Sequence, residues 1–189
     1  MMSISTFKKI AFIPFVVAVM AVSCEKKDPV IPNEEELITT LRYTLTPNGG
    51  GDEVILSFQD VDGDGGNAPI VSTDTIQANT LYTGQLELLN ESVSPAEDIT
   101  EEVMEESTEH QFFFTSSIND LVITYDDVDD DNNPLGVETN VSAGNAGTGT
   151  LTIILRHEPI KTASGVADGD ITNAGGETDI EVQFNVVVQ

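Results

Sequence analysis

The chain has 189 residues, enough for one domain of ordinary size with a hydrophobic core. It carries 33 Asp and Glu against 7 Lys and Arg, a formal net charge of −26, and such a field excludes nucleic acid as a partner. A single cysteine excludes an internal disulfide, so stability has to come from packing and from any bound metal.

The first 23 residues have the order of a secretory signal. Two lysines precede the apolar stretch 10–22, which has 13 residues and is too short to span a bilayer, because a spanning helix needs about 20. The tetrapeptide Ala-Val-Ser-Cys that ends at Cys24 resembles a lipobox. We therefore predict that residues 1–23 are removed and that Cys24 carries lipid. The alternative is a conventional signal peptide that is cut nearby.

Residues 24–36 predict an acidic tether, since Pro29 and Pro32 favour extended backbone. The tether begins with Glu-Lys-Lys-Asp after Cys24, which is similar to the lysine-plus-acid signals that send Bacteroidota lipoproteins to the cell surface. Two or three acyl chains hold a protein durably on a membrane, because each buried methylene contributes about 0.8 kcal/mol. We expect an exported protein anchored in the outer membrane, on its periplasmic face or on the cell surface.

From Leu37 onward, apolar residues recur at every second position, which is typical of half-buried strands. The predicted strands cover residues 37–45, 54–59, 81–90, 110–115, 120–125, 135–141, 149–157 and 179–188, with 69–76 as a candidate ninth. In the last strand, Ile180 and Val182 face one way, and Asp179 and Glu181 face the other. Residues 95–109 predict the only helix, of one or two turns.

The connections between these segments are rich in Gly, Asn, Asp and Pro, as they are between the strands of a sandwich. The apolar stripe of the short predicted helix contains Ile99, Val103 and Met104. The sequence thus predicts a single all-β domain, residues 37–189, folded as an antiparallel β-sandwich of the immunoglobulin-like kind. A β-barrel is the alternative architecture.

Four segments of the chain carry a family resemblance: Phe58–Pro69, Glu97–Glu102, Leu155–Pro159 and Gly169–Glu181. They resemble a family of small Bacteroidota lipoproteins that carry the label "type 1 periplasmic binding fold superfamily protein". The resemblance implies a location in the cell envelope and a neighbouring TonB-dependent receptor as partner. The fold in the label needs two α/β lobes and about twice this length, whereas the strands here predict an all-β domain.

Two aspartate-rich loops have the ligand spacing of calcium loops, with carboxylates at positions 1, 3 and 5 and a Gly or Asn at position 6. The carboxylates are Asp60, Asp62 and Asp64 in the first loop and Asp127, Asp129 and Asp131 in the second. The second loop also has Glu138 at position 12, where a bidentate acid closes a calcium shell, and the first has Val71 there. The sequence predicts calcium in at least one loop, and a solvated polar turn is the alternative.

The two histidines each adjoin a glutamate, as Glu109-His110 and His157-Glu158. Strand parity places His110 on the face of Phe112 and places His157 on a core-facing row, so both lie at ends of such rows. Neutral imidazoles with carboxylates would form a site for zinc, copper or nickel if the two strands are neighbours. The alternative is a pair of hydrogen-bonded histidines at the edge of the core.

The sequence contains no Gly-x-Ser-x-Gly elbow, no phosphate loop and no cysteine nucleophile in the predicted domain. We therefore expect a non-catalytic binding or accessory module, lipid-anchored, with calcium-stabilised loops and linked to TonB-dependent uptake. A structural or adhesive surface protein is one alternative. A carboxylate-based hydrolase is the other.

Overall fold

The computed structural model of the chain describes residues 36–63 and 66–189. The predicted signal peptide, Cys24, the tether up to residue 35 and Asp64 lie outside the described residues. In the part of the chain that is described, no helix has the length and apolar character needed to cross a membrane.

The alternating segments form ten strands and one short α-helix within the described residues. These are β1 (Thr40–Pro47), β2 (Val54–Gln59), β3 (Ile70–Thr73), β4 (Thr80–Asn90), β5 (Glu97–Asp98), α1 (Ile99–Glu105), β6 (His110–Ser116), β7 (Leu121–Tyr125), β8 (Glu138–Ala143), β9 (Gly147–His157) and β10 (Glu177–Val188). Seven strands form one sheet in the order β3-β2-β1-β4-β8-β7, with β5 paired to β4. The other three form a second sheet in the order β10-β9-β6.

The two sheets pack face to face, and all their strand pairings are antiparallel. Leu41 and Leu86 of the large sheet share one buried core with Phe112, Leu155 and Phe184 of the small sheet. Full burial of each such side chain contributes about 1.5–3 kcal/mol, so this contact holds the layers together. The predicted all-β sandwich is confirmed, and the described strands close no barrel.

Two predicted strands begin later than their apolar pattern suggests. β1 begins at Thr40, and Leu37, which the pattern places with the core, is exposed. β8 begins at Glu138, because Gly136 adopts a left-handed conformation with φ 96° and interrupts extended backbone. Leu135 and Val137 are nevertheless buried, which is why the pattern includes them.

The short helix forms where the sequence predicts it and has about two turns. The Asp98 side chain accepts a hydrogen bond from the Thr100 backbone N–H at 3.0 Å and so caps the first turn of α1. Ile99 and Val103 are buried against the core, but Met104 is exposed, so the apolar stripe is narrower than predicted.

Candidate metal centre

The two histidines are direct neighbours at one end of the small sheet. His110 is the first residue of β6 and His157 the last residue of β9, and the antiparallel register pairs them. Side chains of directly opposed residues lie on the same face of a sheet. Their rings stack with centroids 4.7 Å apart and planes inclined by 27°. The neighbouring strands that a histidine metal site requires are therefore present.

Two buried carboxylates complete a cluster with the histidines. His110 Nε2 lies 3.5 Å from Glu36 Oε1 and 3.8 Å from Asp179 Oδ2, and His157 Nδ1 lies 3.8 Å from Asp179 Oδ1. Only 5% of the Glu36 side chain and 1% of the Asp179 side chain are exposed. One ligand atom from each of the four residues lies within 4.8 Å of the other three. We call Glu36, His110, His157 and Asp179 the inner cluster.

Asp179 reaches the inner cluster because β10 contains a β-bulge. The register with β9 shifts between Thr178 and Ile180, so Asp179 is an extra residue in the ladder. A bulge redirects a side chain that regular alternation would send to the other face. The prediction that Asp179 faces the same way as Glu181 is therefore wrong, since Glu181 is exposed and Asp179 is buried.

The sequence offers weak signals for the two carboxylates that its patterns missed. The Gly175-Gly176 pair before β10 is the one hint of an irregular strand start. Gly176 has φ 70°, and a Cβ there would overlap the His157 carbonyl oxygen, so glycine lets β10 approach β9 beside the cluster. Glu36 precedes β1 in the predicted tether, and no local pattern marks it as buried.

The surroundings of His110 favour its neutral form, which is the form that binds a metal ion. Burial lowers the pKa of His110, and the nearby Glu36 carboxylate offsets only part of that effect. His110 Nδ1 lies 3.3 Å from the Glu106 carbonyl oxygen, which can only accept, so Nδ1 carries the proton of the neutral ring. The Nε2 lone pair is then directed toward the two carboxylates, in the orientation that a carbonyl-anchored metal ligand has.

The polar atoms of the inner cluster are spaced much like the ligand atoms of a metal shell. Among the described residues, His110 Nε2 and Glu36 Oε2 are buried and have no hydrogen-bond partner. Ligand atoms around a tetrahedral zinc with bonds of about 2.0–2.1 Å lie about 3.3 Å apart. The separations of 3.5 and 3.8 Å are only a few tenths of an ångström larger. Two neutral imidazoles and two carboxylates would also neutralise a divalent ion.

Glu109 and Glu158 lie at the outer side of His157, and we call them the rim pair. His157 Nε2 is 3.8 Å from Glu109 Oε2, and 52% of the Glu109 side chain is exposed. The Glu158 backbone N–H donates to the Glu109 carbonyl oxygen at 2.6 Å, which holds the two residues together. Ligand atoms of Glu109, His157 and Glu158 lie within 4.8 Å of one another. The structure thus brings together the four residues that the sequence predicts. His110 belongs to the inner cluster, the two glutamates form the rim pair, and His157 contacts both.

The second aspartate-rich loop uses its carboxylates to hold its own backbone. Asp127 accepts hydrogen bonds from the N–H groups of Gly136 at 2.7 Å and Glu138 at 2.9 Å. Asp129 accepts from the N–H groups of Asp131 at 2.9 Å and Asn133 at 2.8 Å. Within the described chain, no three acids of this loop place ligand atoms within 4.8 Å of one another.

The Lys161 ammonium is the cation beside this loop. Its Nζ lies 2.8 Å from Asp129 Oδ2 and also donates to the carbonyl oxygens of Ser107 and Pro134. Burial lowers the pKa of Lys161, and Asp129 offsets part of that effect. Burial alone would raise the pKa of Asp129, but the Lys161 and backbone hydrogen bonds outweigh it and hold that pKa below its usual range.

In the first aspartate-rich loop, Asp60 and Asp62 are described and Asp64 is not. Asp60 accepts from the Gly63 N–H at 3.0 Å, and Asp62 accepts from the Asn67 N–H at 3.0 Å and from its side-chain amide at 2.7 Å. The hydrogen bonds from Asn67 lower the pKa of Asp62. These are the contacts of a polar turn, and calcium in either loop stays a prediction.

Comparison of the chain with family models, with curated proteins and with solved structures gives no match. The function proposed for the histidine cluster therefore depends on the chain's own residues and geometry. The inner cluster is the part of the described chain with the most specific chemistry.

Proposed function

We propose that this protein is a lipid-anchored, non-catalytic binding module of the bacterial cell envelope, and that its ligand is a divalent transition-metal ion. Glu36, His110, His157 and Asp179 would hold the ion. The observation that carries the proposal is the convergence of four ligand atoms from buried side chains within 4.8 Å. Zinc is the reference ion, because imidazole and carboxylate ligands in a four-coordinate site suit it.

Charge compensation is the physical argument for an ion. A carboxylate as buried as Glu36, with 5% of its side chain exposed, costs several kcal/mol to take out of water unless an opposite charge compensates it. A divalent cation would replace the repulsion between Glu36 and Asp179 with attraction to both. It would also take up the lone pair of His110 Nε2, which has no hydrogen-bond partner in the described chain.

The site favours storage or delivery of an ion over catalysis. Four protein ligands fill a tetrahedral shell, whereas catalytic zinc sites keep one position for water or substrate. An accessory protein that presents a metal ion to a TonB-dependent receptor fits a closed site of this kind. The link to that receptor is supported by the family resemblance of four sequence segments.

A metal titration of the full chain, purified in detergent and treated with chelator, tests the proposal. We expect one zinc ion per chain, no competition from calcium or magnesium, and at least about tenfold weaker binding in Asp179→Asn. Glu181→Gln is the matched control, because Glu181 is an exposed acid two residues along the same strand. Equal zinc affinity in Asp179→Asn and Glu181→Gln would overturn the proposed site.

The anchor needs a separate test, because Cys24 lies outside the described residues. Palmitate labelling of bacteria that express the wild type should mark this protein, and Cys24→Ala should abolish the label. Equal labelling of both chains would remove the lipid anchor from the proposal.

A further inference from the structure

We propose that the rim pair, Glu109 and Glu158, is the entrance through which the ion reaches the inner cluster. The ion would first be held by these carboxylates and His157 Nε2, and would then pass to Glu36, His110 and Asp179. This inference rests on the proposed function and adds a route to it.

His157 connects the two sets of ligands. Its Nε2 lies 3.8 Å from Glu109 Oε2, and its Nδ1 lies 3.8 Å from Asp179 Oδ1. An imidazole ring has a potential ligand atom on each of two edges, so one ring can meet an ion on the outer side and on the inner side. The two sets share this one residue and no other.

Exposure falls steeply from the rim to the inner cluster. The Glu109 side chain is 52% exposed, whereas those of Glu36, Asp179 and His110 are 5%, 1% and 0% exposed. A hydrated ion cannot enter a buried site directly without losing its water shell at a cost of many kcal/mol. The rim carboxylates can replace part of that shell while the ion is still in contact with solvent, which lowers the barrier to entry.

The local backbone places the rim carboxylates side by side. Glu109 ends a short 3-10 helix, Ser107–Glu109, directly before His110. Glu158 directly follows His157, has a left-handed conformation with φ 50°, and donates its N–H to the Glu109 carbonyl oxygen. Two like charges held together in this way attract a passing cation more strongly than either would alone.

An entrance residue and a resting ligand have different kinetic signatures. A resting ligand stabilises the bound ion, so its removal raises the dissociation rate and weakens affinity. An entrance residue stabilises the transition state between solvent and the inner cluster, so its removal slows uptake and release by the same factor. The ratio of the two rates, and hence the affinity, then stays constant.

Stopped-flow measurement of zinc uptake and release by the full chain in detergent tests the entrance. For Glu109→Gln with Glu158→Gln we expect both rates to fall by about fivefold or more, with the zinc affinity changed by less than about twofold. Asp52→Asn with Glu53→Gln is the matched control. It also removes two exposed charges, but from the turn that connects β1 to β2. That turn follows the end of β1, whereas Glu36 precedes its start.

Three outcomes would overturn the entrance while leaving the inner cluster in place. These are an unchanged uptake rate in the rim variant, weaker affinity through faster release alone, or a second zinc ion per wild-type chain that the rim variant loses. Failure of the folded wild type to bind any zinc would overturn the proposed function, and the entrance with it. Circular dichroism of each variant checks that the protein is folded. We expect no change in the spectrum, because all four substituted side chains lie on the surface.

Discussion

His110 and His157 are paired directly across β6 and β9, and their rings stack with centroids 4.7 Å apart. Antiparallel pairing brings the start of one strand to the end of its neighbour, so two residues 47 positions apart in sequence become one site. A pair of histidines within 4 Å of two buried carboxylates is an arrangement that a cation would stabilise.

Zinc should therefore raise the melting temperature of the wild type. An ion at 100 times its dissociation constant adds about 2.7 kcal/mol to the free energy of unfolding, or several degrees for a domain of this size. His110→Ala should abolish that rise, because it removes the nitrogen that contacts both carboxylates. Thermal unfolding by circular dichroism, with and without zinc, measures the effect. A full rise in His110→Ala would contradict the proposed ligand set.

Gly176 should be required for the position of Asp179. In Gly176→Ala we expect a loss of about 1–3 kcal/mol in the free energy of unfolding. Alanine would have to adopt the left-handed φ of 70°, and its Cβ would overlap the His157 carbonyl oxygen. Zinc affinity should fall as well, since the same contact positions the bulge. Gly49→Ala is the control and should change stability by less than about 0.5 kcal/mol, because a Cβ added at Gly49 would lie in open space. Equal denaturation midpoints for the two variants would refute this role.

The alternation of apolar residues is sufficient to predict most of the strands, because burial of one strand face leaves a period of two in the sequence. It could not predict Asp179, since a bulge inserts one residue and shifts parity from that point. Nor could it predict the sheet order that makes β6 and β9 neighbours. Nor could it predict the place of Glu36, whose carboxylate lies 3.5 Å from His110 Nε2, far along the chain.

The aspartate-rich loops show the same limit of local patterns. Their spacing indicates a cation near the carboxylates, but no local pattern distinguishes a bound ion from a lysine of the same chain. Lys161, 32 residues after Asp129, provides a positive charge at that loop. No local pattern marks Lys161, because its contact with Asp129 is set by tertiary structure.

Lys161→Met should destabilise the protein by about 3–5 kcal/mol, because it leaves the buried Asp129 carboxylate without its cation. Arg42→Met is the control and should cost less than about 1 kcal/mol, since Arg42 and Glu87 form a half-exposed ion pair. Urea unfolding at neutral pH compares the two.

The effect of Lys161→Met should also depend on pH. The pKa of Asp129 is held below its usual range, so its stabilising contribution is present above the unfolded pKa of about 3.9. That contribution is lost as pH falls through the folded pKa. The stability difference between wild type and variant should therefore shrink in acid. A difference that grows as the pH falls would contradict the assigned ion pair.

Calcium in the aspartate-rich loops can be tested on zinc-free protein. Within the described chain, no Lys or Arg forms an ion pair with Asp60 or Asp62, so we expect calcium to act mainly at the first loop. The melting temperature should rise in millimolar calcium and rise less in Asp62→Ala, and magnesium should be a poorer substitute. Asp129→Ala should lower the melting temperature without changing the calcium response. Equal melting temperatures in chelator and in calcium, at matched ionic strength, would show that both loops are ordinary turns without bound calcium.

The central claim is that one transition-metal ion binds among Glu36, His110, His157 and Asp179. Crystals of the zinc-loaded protein, measured above and below the zinc absorption edge, test it most directly. We predict one strong anomalous peak, with ligand atoms from all four residues at about 2.0–2.2 Å. An ordered structure with these four side chains in place and no peak among them would contradict the claim.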